Sequence, residues 1–235
     1  MNKSIALIGA TGMVGMELLK YLPQLNNIKL TLFASEKSKG TIIKFKNKDL
    51  IVKTIKFDEL DNFDYIFNAS SGELAEEISK HITNKTILID NSSFFRMHYD
   101  FPLIIPEINI DLIKHHHIIA NPNCSTIILC MALNAIHQKY KINNINVSTY
   151  QASSGAGKNG YQELQQQAKN WCNQEQISID YWNKQYIWNI FSHNSDIDLE
   201  SGYNGEEIKM MKETQKILGD IDISVTCVRV PTLRS

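Results

Sequence analysis

No stretch of this chain reaches the roughly 18 consecutive apolar residues of a membrane-spanning helix. Nor does it open like a secreted protein. Residues 1–8 run straight into a strand-like pattern whose apolar run is too short for a signal-peptide core. Cysteine is scarce. Cys124, Cys130, Cys172 and Cys227 show neither CxxC spacing nor the framework of a small disulfide-stapled domain, so free thiols in a reducing, cytoplasmic compartment are expected. An excess of charge of one sign is also missing. Lys+Arg number 24 and Asp+Glu 25, a net charge of −1; residues 1–123 hold 14 of each, leaving 10 basic and 11 acidic for the rest. With neither half basic, nucleic acid and anionic membranes are excluded as expected partners. Internal repeats and low-complexity tracts are absent as well.

What is present is an ordinary globular composition, 43% apolar and 21% charged over 235 residues. That length suits one large domain or two ordinary ones. Up to residue 120, short apolar runs alternate with helical patterns. Residues 5–8, 30–33, 65–67, 86–89 and 118–120 read as buried strands, and 42–54 as one or two more. Residues 16–22 continue a helix that Pro23 stops, and 74–81 form another. This alternation predicts an α/β fold, a Rossmann-like doubly wound parallel sheet. Past residue 124 the texture changes. An apolar helix runs to about 137; residues 143–152 alternate through Ile145, Val147, Thr149 and Gln151 like a half-buried strand. A polar helix over 158–172, an irregular stretch over 173–203, a helix over 205–218 and a strand over 223–230 follow. This second part reads as an incomplete α+β domain, 124–235, after a first domain of residues 1–123.

Asn121-Pro122-Asn123-Cys124-Ser125-Thr126 sets a thiol between a polar turn and the apolar helix, at or near a helix N-terminus. Unpaired N–H groups and the helix dipole favour negative charge there, and the thiolate is the nucleophilic form of cysteine. The same N–H groups can hold an oxyanion. Against this stands the common fate of a free cysteine, inert packing. Gly9-Ala10-Thr11-Gly12-Met13-Val14-Gly15 follows the first strand and opens the first helix, where a glycine-rich turn can cradle a dinucleotide pyrophosphate; a bare structural turn is the alternative. After the second strand, Ser35-Glu36-Lys37-Ser38-Lys39 offers two hydroxyls and two lysines where an NAD enzyme places an acid for the ribose. That suits the 2′-phosphate of NADP, with Glu36 as a complication and a solvated turn as the alternative.

Arg96, in the 90–96 stretch beyond a strand's C-terminal end, can clamp a phosphate or carboxylate, or form only a surface ion pair. Gln151 stands at a strand end beside the glycine-rich 153–157 loop, where its amide can orient a carbonyl. Glu206 and Lys209, at i,i+3, share a helix face and can grip an amine and a phosphate, or each other. The His115-His116-His117 run lacks metal-site partners and reads as a polar loop; no metal is expected.

Together these stretches resemble the aspartate-semialdehyde dehydrogenase family, from Ser4 to Ser235. The motifs that carry the resemblance are GATGMVG (9–15), ASEKSKG (34–40), DNSSFFR (90–96), PEIN (106–109), NPNCST (121–126), QASSGAGKNG (151–160), EEIKMMKETQKI (206–217) and VRVPTLRS (228–235), in family order. The resemblance implies a Rossmann-like cofactor domain, an α+β catalytic and dimerisation domain, and a homodimer or homotetramer at full length. It implies the NADP-dependent, phosphorylating oxidation of aspartate semialdehyde to aspartyl phosphate, run in reverse for lysine, threonine and methionine biosynthesis. By the same resemblance Cys124 is the nucleophile that carries an acyl-thioester and Gln151 orients the substrate. Arg229 binds its α-carboxylate, Glu206 its amino group, and Arg96 and Lys209 the phosphate, with Asn123 helping at the thiol. Gly9, Thr11, Gly12, Met13, Val14, Ser35, Lys37 and Ser38 hold the body of the cofactor. Ser71, Gly72, Ser154 and Gly155 approach its nicotinamide end.

Two departures stand out. Lys37 occupies a place where the family usually has arginine, which keeps the charge and loses the planar fork. In the family a general acid–base histidine follows a segment like 228–235, and further chain completes the catalytic sheet and dimer surface. The expectation is therefore a C-terminally truncated member of low activity, since loss of a general acid–base costs about 10²–10⁴-fold. N-acetyl-glutamyl-phosphate reductase shares the fold and the thioester logic, but not the amine that Glu206 would meet. An inactive dinucleotide-binding relic is the non-enzymatic alternative.

Overall fold

Strand β1 (Lys3–Ile8) is buried without a break over Ile5, Ala6, Leu7 and Ile8, as befits a strand covered on both faces. It anchors the first of two units, Met1–Ala132 and Leu133–Ser235, in a computed structural model that describes residues 2–234. Helix α1 (Met13–Tyr21) follows, and Pro23 lies in the short 3-10 turn Leu22–Gln24 that ends it. Next come β2 (Ile28–Phe33), β3 (Ile42–Phe45), β4 (Lys48–Ile51), β5 (Tyr65–Asn68), α2 (Gly72–Lys80), β6 (Ile87–Asp90), α3 (Pro106–Asn109) and β7 (Ile118–Ala120). Helix α4 (Cys124–Tyr140) then begins. Five strands form an all-parallel sheet in the order β2-β1-β5-β6-β7. Strands β3 and β4 form a separate antiparallel hairpin. Phe45 and Val52 from this region pack with Leu7, Leu30 and Leu32 in the core.

The strands end in step. Ile8 pairs with both Phe33 and Asn68, Asn68 with Asp90, and Asp90 with Ala120. The next residue along each strand extends the ladder: Gly9 N–H donates to Phe33 O at 2.9 Å, Ala69 N–H to Ile8 O at 2.9 Å, Asn91 N–H to Asn68 O at 3.0 Å and Asn121 N–H to Asp90 O at 2.8 Å. The glycine turn, the 34–40 turn, the 90–96 loop and the 121–126 stretch therefore leave the sheet along one edge. The strand order reverses direction between β1 and β5, a switch point of the kind where open α/β sheets bind ligands.

The second unit holds β8 (Asn144–Gln151), α5 (Gly157–Cys172), β9 (Phe191–Ser192), α6 (Gly205–Leu218) and β10 (Asp222–Arg229). Its sheet is mixed: β10 pairs in parallel with β8 and antiparallel with β9. Along β10, Ile223, Val225, Cys227 and Arg229 are buried while Asp222, Ser224 and Thr226 are exposed, so one face meets the core. Helix α6 packs on that strand. Glu207 Oε1 accepts from Cys227 N–H at 2.8 Å, and Cys227 Sγ lies 3.7 Å from Met210 Sδ.

The stretch 173–203, irregular by sequence, carries little regular structure but is firmly held. Glu163 accepts from the backbone N–H of Tyr181 and Trp182, and Gln167 Oε1 from those of Tyr186 and Ile187 at 2.7 and 3.0 Å. Trp182, Tyr186 and Ile187 pack with Leu164 of α5. The unit division falls inside α4, whereas the sequence reading drew its boundary at 123/124. The first half of α4, with buried Thr126 and Cys130, belongs to the first unit. Ser235, on which the expected truncation turns, lies outside the described residues. Among those described, no helix is long and apolar enough to cross a membrane.

Candidate active site

Asn123 caps α4. Its Oδ1 accepts from Ser125 N–H at 2.9 Å and Thr126 N–H at 3.4 Å, and its carbonyl from Ile127 N–H at 2.9 Å. Cys124 is thereby the first helical residue, exposed at the positive end of a 17-residue helix. The other cysteines lack that combination. Cys130 and Cys227 are buried, and burial pushes the Cys227 thiol up to about 11. Cys172 is exposed but closes α5 at its C-terminal, negative end.

Beside that stretch runs a polar network built on fully buried Asp90. Asp90 Oδ1 accepts from Asn68 Nδ2 at 2.7 Å and Ser92 N–H at 3.1 Å, and Oδ2 from Ser92 Oγ at 2.6 Å. Asn121 Nδ2 donates to Asn91 Oδ1 at 2.9 Å, and Arg96 Nη2 donates to Asn91 O at 2.9 Å. Arg96 is half-buried and tied to the row of strand ends, which is more than a surface ion pair requires.

A cavity of about 390 Å³ opens at the switch point, lined by Gly9, Thr11, Gly12, Ser35, Glu36 and Ser70, among others. Gly9 has φ +80°, and a Cβ there would fall 2.4 Å from Ala69 O, so only glycine allows the turn to lie this close to β5. Gly12 caps α1 without a side-chain bond, and the first turn, which carries Met13 and the half-exposed Val14, has no acidic residue. Such a helix end accepts a pyrophosphate, and the residues fit a dinucleotide. Thr11 Oγ1 donates to Ser38 Oγ at 3.1 Å, joining the glycine turn to the turn after β2.

Several expected cofactor residues stand differently. Lys37 is exposed, and Lys39 pairs with Glu36 at 3.4 Å, so one of the two lysines offered to a 2′-phosphate already faces an acid. Ser71 caps α2, accepting from Leu74 N–H at 3.4 Å, and Gly72 opens that helix against Phe94. Ser70, which the sequence reading passed over, lines the cavity together with Ser35.

In the second unit Gln151 and Arg229 are register partners at the ends of neighbouring parallel strands. Arg229 is only 2% exposed, and a buried cation is costly unless its donors are satisfied. Its Nε donates to Asn194 Oδ1 at 3.1 Å, Nη1 to Ala152 O at 2.9 Å and Nη2 to His193 Nε2 at 2.7 Å. The guanidinium lies 5.6 Å from the centre of the Trp182 ring. Gln151 Nε2 donates to Glu206 Oε1 at 3.2 Å. Glu206 is 6% exposed, which removes the reading of a solvated helical ion pair, while Lys209 is exposed. Ser154 and Gly155 form part of a turn whose backbone is tied to 232–233 by Ser153 N–H to Thr232 O and Ser154 N–H to Leu233 O; Gly155 abuts Arg229.

Sequence reasoning missed three residues here. His193 and Asn194 hold Arg229, and Glu207 locks α6 to β10. Only Glu207 carried a signal, because Asn204 and Glu207 form an N-x-x-E capping box.

Residues 4–116 match the family model described as the NAD binding domain of semialdehyde dehydrogenases, and residues 133–235 that of their dimerisation domain. The aspartate-semialdehyde dehydrogenase of Aquifex aeolicus is 41% identical over 241 residues, which span 98% of this chain and 71% of that protein. That of Helicobacter pylori strain 26695 is 40% identical, spanning 99% and 72%. The crystal structure of aspartate semialdehyde dehydrogenase II from Vibrio cholerae complexed with ASA superposes with a TM-score of 0.89 at 35% identity, covering 99% of this chain and 71% of that one.

Proposed function

The chain belongs to the aspartate-semialdehyde dehydrogenase family, and from that premise we propose that it acts on aspartate semialdehyde with NADP⁺ and phosphate through a cysteine thioester. The observation that carries the reading is the buried Arg229 beside Gln151, which is itself bonded to buried Glu206. A cation and an anion held this way suit the carboxylate and ammonium on one α-carbon. Arg229 takes the α-carboxylate and Glu206 the ammonium; Gln151 aligns the carbonyl. The Cys124 thiolate adds to the aldehyde carbon, and the N–H groups opening α4 favour the charge on that sulfur. Loss of hydride leaves a thioester on Cys124. Phosphate, held by Arg96 and Lys209, displaces the sulfur, giving aspartyl phosphate and returning the thiolate. Asn123 keeps Cys124 at the helix end.

The cofactor would lie with its pyrophosphate at Gly9, Thr11, Gly12, Met13 and Val14, and with its ribose at Ser35, Lys37 and Ser38; when bound it supplies hydride acceptance. Ser71, Gly72, Ser154 and Gly155 remain the proposed contacts at its nicotinamide end. Preference for NADP rests on the hydroxyls and lysines of the 35–39 turn. The family description of residues 133–235 as a dimerisation domain and the exposed Tyr150 on β8 favour a homodimer or larger homo-oligomer.

The test is NADP⁺ reduction by the chain with aspartate semialdehyde and phosphate. Turnover that depends on phosphate and is lost in Cys124→Ala is the expected result. Turnover that survives Cys124→Ala would refute the thioester route, and none in the unmutated chain, in an assay that detects rates reduced by about 10⁴-fold, would refute the activity.

A further inference from the structure

His193 lies in no sequence motif, yet it joins buried Arg229 to the helix turn that carries buried Glu206. A guanidinium has no acceptor, so at 2.7 Å Arg229 Nη2 donates and His193 Nε2 offers its lone pair. A neutral imidazole then keeps its proton on Nδ1, 3.1 Å from Ser195 Oγ, to which it donates. The Ser195 backbone N–H also aims at Nδ1, from 3.2 Å, so two donors compete for the one lone pair of the neutral ring, and the guanidinium, at the shorter distance, takes it. Ser195 Oγ also accepts from Glu206 N–H at 3.0 Å and lies 3.4 Å from Asn204 Oδ1, toward which its own proton can point. The path runs from the Arg229 guanidinium through His193 and Ser195 to the first turn of α6, which carries Glu206.

This inference rests on the reading of Arg229 and Glu206 as ligands of carboxylate and ammonium. We propose that His193 is a positioning residue that holds the Arg229 guanidinium as a neutral acceptor and, through Ser195, sets its spacing from Glu206. The site would thereby favour substrates whose carboxylate and ammonium share one carbon. The charged groups facing His193 are Arg229 from β10 and Glu206 and Lys209 from α6. Burial first, then Arg229, pushes the imidazole down to about 4, against the opposing pull of Glu206. The neutral acceptor therefore persists at ordinary pH.

Two readouts test this on the full chain. The first is the long-range ¹⁵N–¹H spectrum of labelled protein, with His193 assigned by its loss in His193→Gln. The expected pattern is a proton on Nδ1 and no titration near the ordinary histidine value of about 6.5. A proton on Nε2, or a midpoint near that value, would overturn the proposal whether or not the chain turns over substrate. The second is the kinetics of His193→Ala and His193→Gln. Losing a hydrogen bond to a charged group should raise KM for aspartate semialdehyde about tenfold or more in the alanine variant, with a smaller fall in kcat and KM for phosphate held within about twofold. Glutamine, whose Oε1 can reach the place of Nε2, should recover most of the loss. An unchanged KM in the alanine variant, or equal losses in both, overturns the positioning role. An Nδ1 proton in a chain without turnover supports the hold on Arg229 and counts against the dehydrogenase reading alone.

Discussion

Gly155 and Arg229 are fitted to each other: a Cβ on Gly155 would stand 2.9 Å from Arg229 Nη1. That nitrogen is committed to Ala152 O, and Nε and Nη2 of the same guanidinium are bonded to Asn194 and His193. The group cannot step aside without weakening a charged hydrogen bond. The glycine that the resemblance sets near the cofactor also gives, in its own unit, room for the buried cation.

Gly155→Ala should therefore impair substrate binding and stability together. The expected rise in KM for aspartate semialdehyde is about three- to tenfold, with a stability loss of about 1–3 kcal/mol from the weakened charged hydrogen bond. Gly157→Ala is the counter-case. Gly157 has φ +77° with open space around it, so alanine there strains the backbone by about 1–3 kcal/mol and leaves KM alone. An unchanged KM at 155, or a KM effect at 157, would sink this account.

The His193 imidazole gives stability a sign in pH. Its folded-state value of about 4 lies below the ordinary 6.5, so between those limits the unfolded chain binds the proton more readily. Stability should then fall as pH falls through that window, with the full loss reached below about 4. Asp64, held down to about 2 by the Ser4 backbone and hydroxyl and by Lys3, loses its contribution only below its ordinary 3.8 and does not act in the window. Urea midpoints at intervals across the window should drop more steeply for the unmutated chain than for His193→Gln. Parallel curves would show that His193 is not the group responsible.

Much of the first unit could be read from local pattern, because a strand covered on both faces writes itself as an unbroken apolar run. The 5–8 run became the buried centre of β1, and the 9–15 turn, the 121–126 stretch and α4 opening at Cys124 stand where expected. The second unit was less legible, for two physical reasons. Glu163 and Gln167 read as the wet face of a polar helix; they are buried because the irregular 178–187 segment needs acceptors for its backbone N–H groups. His193 meets Arg229, 36 positions away in sequence, through tertiary folding alone. Arg229 was different: its place in the 223–230 strand was legible, its role was drawn from the resemblance, and its burial on the core face of β10 came with the structure.

Glu207 should be a stability residue and not a substrate residue. One oxygen accepts from Asn204 N–H and the other from Cys227 N–H, each at 2.8 Å. Glu207→Ala strands both buried donors and should cost about 2–4 kcal/mol in chemical unfolding. Glu207→Gln turns an amide donor toward one of them and should cost about half as much. A loss in the alanine variant below about 1 kcal/mol, the worth of an ordinary cap, would mean that the bond to Cys227 contributes nothing.

Glu36 is placed to bear on the proposed preference for NADP. It lines the cavity at the end of β2 and pairs with Lys39 at 3.4 Å, both side chains well exposed. A carboxylate there can bond a ribose 2′-hydroxyl, as NAD requires, while repelling a 2′-phosphate and occupying the lysine that would meet it. Glu36→Gln should therefore tighten NADP about two- to fivefold and weaken NAD, the modest size following from solvent screening of an exposed pair. The gain should shrink as salt rises. Lys39→Met separates the two effects of Glu36. If the acid chiefly ties up Lys39, the methionine change costs little NADP affinity alone and several-fold in the Glu36→Gln background, a coupling the double-mutant cycle reads directly. If it acts chiefly by repulsion, the two substitutions add. An NADP affinity unmoved or reduced by Glu36→Gln would remove Glu36 from cofactor choice altogether.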